Sequence, residues 1–430
     1  MLSSLSGKHW LYSWIDEYEA TSEDAAKARL AHPEAVSRLA QLARESTLSG
    51  AGDVPLVGSV LAGPGLDVGR NVCHSLLCRK HIFDYDIGFM LHYFDYIAMH
   101  GPDSKTYLSY LEGKTSRYTL AEFLSTVADD VGVMNYIRRI GLANYVVFVD
   151  KNLPCYCQNH FREYAEDAGL SELIEPGRIE EIAEKISRDG GISLRHSGSK
   201  QWGVVLTHPL FSDSIVHTFQ QKTRPKKREV AAGVIRESLF FAVVETAVAK
   251  RLGTPLASVA QTDFIYQARK QTKMTPADVA LNLNIPVLQG LPTAQLIRLR
   301  EHEYDHFERF RQVLTEAITT SVEKSTSDSP AVVAETVWRD KLRPAMRDIE
   351  RRIEASNRSL TRKIGTGIAV GAIASAVGTV AGFPLLAAAG ATAAMTLPLP
   401  QVLKYFDDRQ QIELGDMYFL WRAQRAHAHD

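Results

Sequence analysis

At 430 residues, 45% hydrophobic and 23% charged, the chain is long enough for two or three domains and too apolar to be disordered as a whole. A formal net charge of −1 gives no overall pull toward nucleic acid or anionic lipid, so any such binding falls to a local patch. Four cysteines are too few for a disulfide-stapled secreted protein, and "MLSSLSGKHWLYSWIDEYEA" has no basic segment followed by an apolar one; a reducing cytoplasm is the expected compartment.

Residues 10–48 space apolar and charged residues at helical intervals, and the Gly-, Pro- and Ser-rich "LSGAGDVPLVGSVLAGPGLDVG" after them reads as a loop. Farther on, "ANYVVFVD" and "WGVVLTH" have strand texture, while "ELIEPGRIEEIAEKISRD" and "VAAGVIRESLFFAVVETAVAKRL" have helical texture. Thr293 is placed to cap one long amphipathic helix carrying Leu296, Leu299, Phe307, Phe310, Leu314 and Ile318. "STSDSP" ends it, and a second helix runs from about residue 331, with Pro344 set to kink it.

The resulting class is α+β, predominantly helical. A helical segment (1–50) precedes a mixed α/β sensor or binding domain (51–290) and long amphipathic helices (291–363). A hydrophobic Gly/Ala-rich hairpin (364–403) and an amphipathic C-terminal helix (404–430) complete the chain.

The hairpin is the most distinctive stretch, because no charge interrupts it between Lys363 and Lys404. From Ile364 to Phe383 there are about twenty residues, near the length a helix needs to cross a hydrocarbon core of about 30 Å. Glycine, alanine, serine and threonine dilute the drive to insert, yet they permit close approach. Gly367, Gly371, Ser375 and Thr379 share one stripe, and Ala374, Gly378 and Gly382 share the next. The second half, before Pro398, is short for a full crossing, so a symmetric pair of spans is disfavoured. Three readings stand: a hairpin packed inside or across an oligomeric soluble bundle, a membrane-inserting or re-entrant hairpin, and a single ordinary span. Arg351, Arg352, Arg358, Arg362 and Lys363 suit a cytoplasmic membrane face, and Glu350 and Glu354 can instead neutralise part of that charge.

A further likeness lies in the order of "IPVLQGLP", the helix "LIRLREHEYDHFERFRQVLTEAI", the hydrophobic hairpin and "MYFLW". This layout resembles the C-terminal part of uncharacterised bacterial proteins, some of them reminiscent of toxin-like or phage-defence genes. The resemblance implies a toxin-like or phage-defence role and transfers no site residue; the hairpin itself suggests an effector acting at the inner face of the cell membrane.

Three constellations are candidates for chemistry. "HEYDH" matches the zinc-protease pattern, His302 and His306 as ligands and Glu303 as base, but Arg298, Arg300, Glu301, Asp305, Glu308 and Arg309 crowd it as they would a solvated face. The cysteines fall in two groups with histidines, Cys73, Cys78 and His81, then Cys155, Cys157 and His160. These are ligand types for tetrahedral zinc, though neither group has the common knuckle spacing and buried free thiols are the alternative. Asp84, Asp86, Asp95 and Asp150 are candidates for acids at strand C-termini, where turn-forming aspartates are also common. No P-loop, dinucleotide fingerprint or nucleophile elbow appears. The basic run "KTRPKKRE" lacks interleaved aromatics, so nucleic acid is not an expected partner. No cofactor is expected, with zinc as the alternative.

The expectation is thus an effector whose hairpin mediates self-association or membrane engagement. Its rivals are a metal-dependent hydrolase, using Asp84, Asp86 and Asp150 or the His302–His306 pair, and a non-catalytic scaffold.

Overall fold

The computed structural model describes residues 8–49, 58–63, 66–68, 76–115, 119–198, 201–208, 215–257, 274–289, 291–326, 329–351, 415 and 417–427. Cys73 and the hairpin positions Gly367, Gly371, Ser375, Gly378 and Gly382 lie outside them, as does the whole 364–403 segment. The described chain is predominantly helical with one parallel and one antiparallel sheet, an α+β protein. It divides into two compact units, Met1–Leu281 with Pro292–Ile297, and Asn282–Leu291 with Arg298–Asp430.

The first unit opens with helices α1 (Trp10–Glu17), α2 (Glu23–Leu30) and α3 (Pro33–Ser49). Leu11, Trp14 and Ile15 recur at three and four, so α1 buries one stripe. The Ser22 hydroxyl accepts the Ala25 N–H at 3.1 Å and fixes the start of α2. Strand β1 (Ser59–Ala62) then appears inside the stretch that the glycines and prolines mark as a loop. All four of its residues are buried, so no apolar–polar alternation betrays it.

Between β1 and β2 (Tyr96–Met99) run α4 (Leu76–His81), a π-helical turn over Ile82–Asp86 and α5 (Ile87–Met90). Helices α6 (Ser104–Leu111) and α7 (Leu120–Arg139) lead to β3 (Val146–Phe148). A capping box opens α7: the Thr119 hydroxyl accepts the Glu122 N–H and the Glu122 carboxylate accepts the Thr119 N–H. Then come α8 (Gln158–Asp167), α9 (Arg178–Asp189), β4 (Gly191–Gly198), β5 (Gln201–Thr207), β6 (Ile215–Gln220), α10 (Lys227–Leu252) and β7 (Leu256–Ala257). The basic run is therefore partly the first turn of α10.

Strands β1, β2, β3 and β7 form a parallel sheet in the order β3-β2-β1-β7. Leu61 pairs with Ala98 on one side and with Leu256 on the other, and Ala98 pairs with Val147. Strands β4, β5 and β6 form an antiparallel meander in which Val204 and Leu206 face inward and Val205 faces out. Helix α10 serves both sheets. Val234, Ile235, Leu239 and Val243 pack in one core with Ala183, Ile186, Leu206 and Ile215; Val244, Val248 and Leu252 pack in another with Leu61, Ala98 and Val147. Gly253 ends α10 at φ 61°, a left-handed cap that costs glycine little.

After α11 (Pro276–Asn282) and α12 (Pro286–Gln289), the predicted single long helix is two, α13 (Thr293–His302) and α14 (Tyr304–Lys324), separated at Glu303 with φ −108° and ψ 38°. Phe307, Phe310, Leu314 and Ile318 are buried, and Phe419 of α16 (Tyr418–His427) stands 5.0 Å from Phe307; α15 (Pro330–Val337) lies earlier in the chain than α16. A π-helical turn over Trp338–Leu342 precedes Pro344, and the Arg343 N–H reaches back to the Trp338 carbonyl. Pro344 has no N–H to offer the preceding turn, and the widened turn absorbs that loss. Among the described residues no helix is long and apolar enough to cross a membrane.

Candidate functional site

A parallel sheet aims the residues after its strands at one edge, and in open α/β sheets that edge is where ligands bind. Here three polar residues meet there. Asp67 follows β1, His100 follows Met99 at the end of β2, and Lys151 follows β3. Asp67 accepts the His100 N–H on Oδ1 at 2.8 Å and the Lys151 ammonium on Oδ2 at 2.8 Å. Lys151 also donates to the Ala62 carbonyl and forms an ion pair with Glu245 Oε2 at 2.7 Å. The ammonium thus has two oxygen acceptors and a second carboxylate beside it as counter-charge. Lys151, Asp67 and Glu245 are all 0% exposed.

Such burial is tolerable only because the charges balance. Arg79 of α4, also buried, donates to the Val68 carbonyl at 3.1 Å and to the Asp67 carbonyl, and lies 5.1 Å from the Phe83 ring centre. Arg79 thus holds backbone carbonyls, and Lys151 is the cation shown against both carboxylates. Burial still pushes the Asp67 carboxyl up to about 7; Lys151 opposes the rise and the Glu245 carboxylate adds to it. A short contact from His100 Nδ1 to the Val149 carbonyl, 3.2 Å, requires the proton on Nδ1. His9 is held neutral, its imidazole lowered to about 3 by burial and then by His100. It packs on Phe148 and against Gly101, where an added Cβ would come within 2.5 Å of its Nε2.

The loop after Lys151 builds a second group. Leu153 N–H donates to the Tyr156 hydroxyl at 3.0 Å, Arg251 holds the Asp150 and Asn152 carbonyls, and Tyr156 stacks on Phe240 of α10 at 6.0 Å. The chain then enters α8 with Cys157 as its N-cap. Cys157 Sγ lies 2.9 Å from His160 Nδ1, and its N–H donates to Cys155 Sγ at 3.3 Å. Hydrogen bonds from His160 first, and then from Cys155, lower the Cys157 thiol to about 7. Cys155, Cys157 and His160 are the one group among the described residues with metal-ligand atoms gathered within 4.8 Å of one another.

The remaining sequence candidates are dispersed. Asp84 and Asp86 belong to a π-helical turn, not to a strand end; Asp84 accepts the Tyr136 hydroxyl, and burial raises Asp86. Asp95 precedes β2 and so lies at its amino end, its N–H donating to the Gly58 carbonyl at 2.8 Å. Asp150 does follow β3, but it is exposed: its Oδ1 accepts the Asn152 N–H at 2.8 Å, a turn-forming bond, and Lys105 stands 3.6 Å from Oδ2. Cys78 and His81 fall in α4.

The helix break at Glu303 separates His302, last in α13, from His306 in α14, whereas two zinc-binding histidines four apart need one continuous helix. Glu303 instead binds Arg422 of α16 at 2.8 Å, and His306 lies 4.8 Å from the Tyr418 ring.

Sequence reasoning missed Asp67, Arg79, His100, Lys151 and Glu245. Only Glu245 left a trace, a charge on the stripe that also carries Ala242, Ala249 and Leu252. No protein-family model, curated protein sequence or solved structure matches this chain.

Proposed function

We propose that the sheet-bearing unit binds a small phosphate-bearing ligand of the nucleotide class at the carboxyl edge of its parallel sheet, and that the 364–403 hairpin delivers the response by self-association or membrane engagement. The observation that carries the binding half is the meeting of Asp67, His100 and Lys151 beyond β1, β2 and β3, in a sheet ordered β3-β2-β1-β7. That order reverses direction at β1, and the edge beside such a switch point is the usual crevice for nucleotides. A ligand at this edge would lie beside His100, at the carboxyl end of β2. Lys151, hydrogen-bonded to the Ala62 carbonyl and Asp67 and ion-paired with Glu245, holds the strand ends together. The response half rests on the uncharged run from Lys363 to Lys404 and its small-residue stripes.

The binding half is tested by thermal unfolding of the full chain against mononucleotides and dinucleotides. A ligand at about a hundred times its Kd adds about 2.7 kcal/mol and raises Tm by several degrees. His100→Ala should abolish that rise, read as the ligand-induced shift of the variant against its own ligand-free Tm. Failure of every nucleotide to move Tm sinks the nucleotide reading. The response half is tested by sedimentation and vesicle flotation of the full chain and of a 364–403 deletion: identical behaviour of the two removes the hairpin from any functional account.

A further inference from the structure

We propose that Cys155, Cys157 and His160 form a zinc site with an open fourth position. Two thiolates and an imidazole are a soft donor set that selects zinc over magnesium or calcium. Their ligand atoms already lie within 4.8 Å of one another. With Zn–S near 2.3 Å and Zn–N near 2.0–2.1 Å, a tetrahedral ion sets sulfur about 3.6 Å from nitrogen and about 3.8 Å from sulfur. The present Cys157–His160 separation of 2.9 Å therefore has to widen by well under 1 Å on binding. Both side chains are exposed, so that movement asks only a small shift of the His160 ring over Tyr164, on which it stacks at 6.3 Å.

The backbone that carries the ligands is held on both sides, which distinguishes a built site from three residues that happen to be close. Upstream, the Lys151 ammonium anchors the loop in the buried cluster, and the Leu153–Tyr156 hydrogen bond and Arg251 fix its turn. Downstream, Phe161 of α8 stacks on Phe240 at 5.8 Å, beside the Tyr156 stack on the same ring. The Cys157 N–H aimed at Cys155 Sγ is the kind of outer hydrogen bond that orients a metal-bound thiolate. Cys155 is half-buried while Cys157 and His160 are exposed, so the fourth coordination position faces solvent and takes water. Three protein ligands and a water are the pattern of a zinc that can bind or polarise an incoming oxygen or nitrogen ligand, in contrast to the closed four-ligand structural sites. This site is independent of the nucleotide reading.

The test uses the full chain, reduced and stripped by chelator, titrated with Co2+ as a spectroscopic probe and then with Zn2+. One Co2+ per chain with a thiolate-to-cobalt charge-transfer band, displaced by one Zn2+, is expected. Cys155→Ser and Cys157→Ser should each weaken binding about a hundredfold, at or beyond the upper end of losses seen for outer-sphere partners. His160→Ala should weaken it at least tenfold, and His306→Ala should leave it unchanged. Cys157→His keeps a ligand and should retain the metal with a weaker charge-transfer band, which separates loss of a ligand from loss of the fold. Absence of the band, its survival in both serine variants, its loss in Cys73→Ser or Cys78→Ser instead, or formation of a Cys155–Cys157 disulfide with no metal uptake overturns the assignment.

Discussion

Two groups of ionisable side chains sit on the same short stretch after β3, and they differ in almost everything but their address. Lys151 is 0% exposed and bound to two carboxylates that are equally buried, whereas Cys157 and His160 are open to water. In the buried cluster each charge is the condition for the others, because an uncompensated ion in a low dielectric is expensive. In the exposed pair neither partner depends on the other for solvation. A buried ion pair at a strand end holds the sheet edge together, whereas an exposed thiol stays able to take a new partner. Lys151 is of the first kind and the thiols are of the second.

The comparison breaks most visibly at Lys151. Lys151→Met leaves the Asp67 and Glu245 carboxylates buried together without their cation and should cost about 3–5 kcal/mol in urea unfolding. A cost below about 1 kcal/mol would mean that water reaches the cluster and that its burial is not what makes the charges interdependent.

A smaller effect is expected in the pH dependence. The Asp67 carboxyl is raised to about 7 in the fold, so its favourable contribution is complete below its ordinary value of 3.8 and is lost as pH rises through about 7. Asp67→Asn stays neutral throughout. The stability of the natural chain relative to this variant should therefore fall between about pH 4 and pH 7, by an amount on the order of a few kcal/mol. A flat difference across that range would show that Lys151 and the His100 N–H hold Asp67 ionised.

The smallest change is predicted at the exposed end. Cys157→Ser should alter metal-free stability by no more than about 0.5 kcal/mol, as surface substitutions generally do, even while it removes a metal ligand. A loss of several kcal/mol would place the thiol in the structural fabric alongside Lys151.

Much of the helical frame was legible because its signal is periodic. Phe307, Phe310, Leu314 and Ile318 recur at three and four and are buried as that spacing requires. The break at Glu303 was not legible, since helical spacing continues across it; what ends α13 is tertiary, with Glu303 bound to Arg422 more than a hundred positions away. Strand β1 was hidden by its brevity and by full burial. The site was half legible. Cys155, Cys157 and His160 announce themselves by residue type and closeness, whereas Asp67, His100 and Lys151 become neighbours only through the pairing of β1, β2 and β3. Asp84 and Asp86 misled because an alternating "IFDYDIG" resembles a strand and folds as a π-helical turn.

Helix α10 runs for 26 residues, about 39 Å, and its two halves belong to different cores. Neither the meander nor the parallel sheet can open without stripping one end of a helix whose other end is still packed. Partial opening of either sheet would therefore expose apolar helix surface at once, and the two cores are expected to behave as one cooperative foldon. Amides near Glu245, where the halves meet, should exchange with solvent only through the global transition, so the slowest-exchanging protons of this unit mark the seam between its sheets.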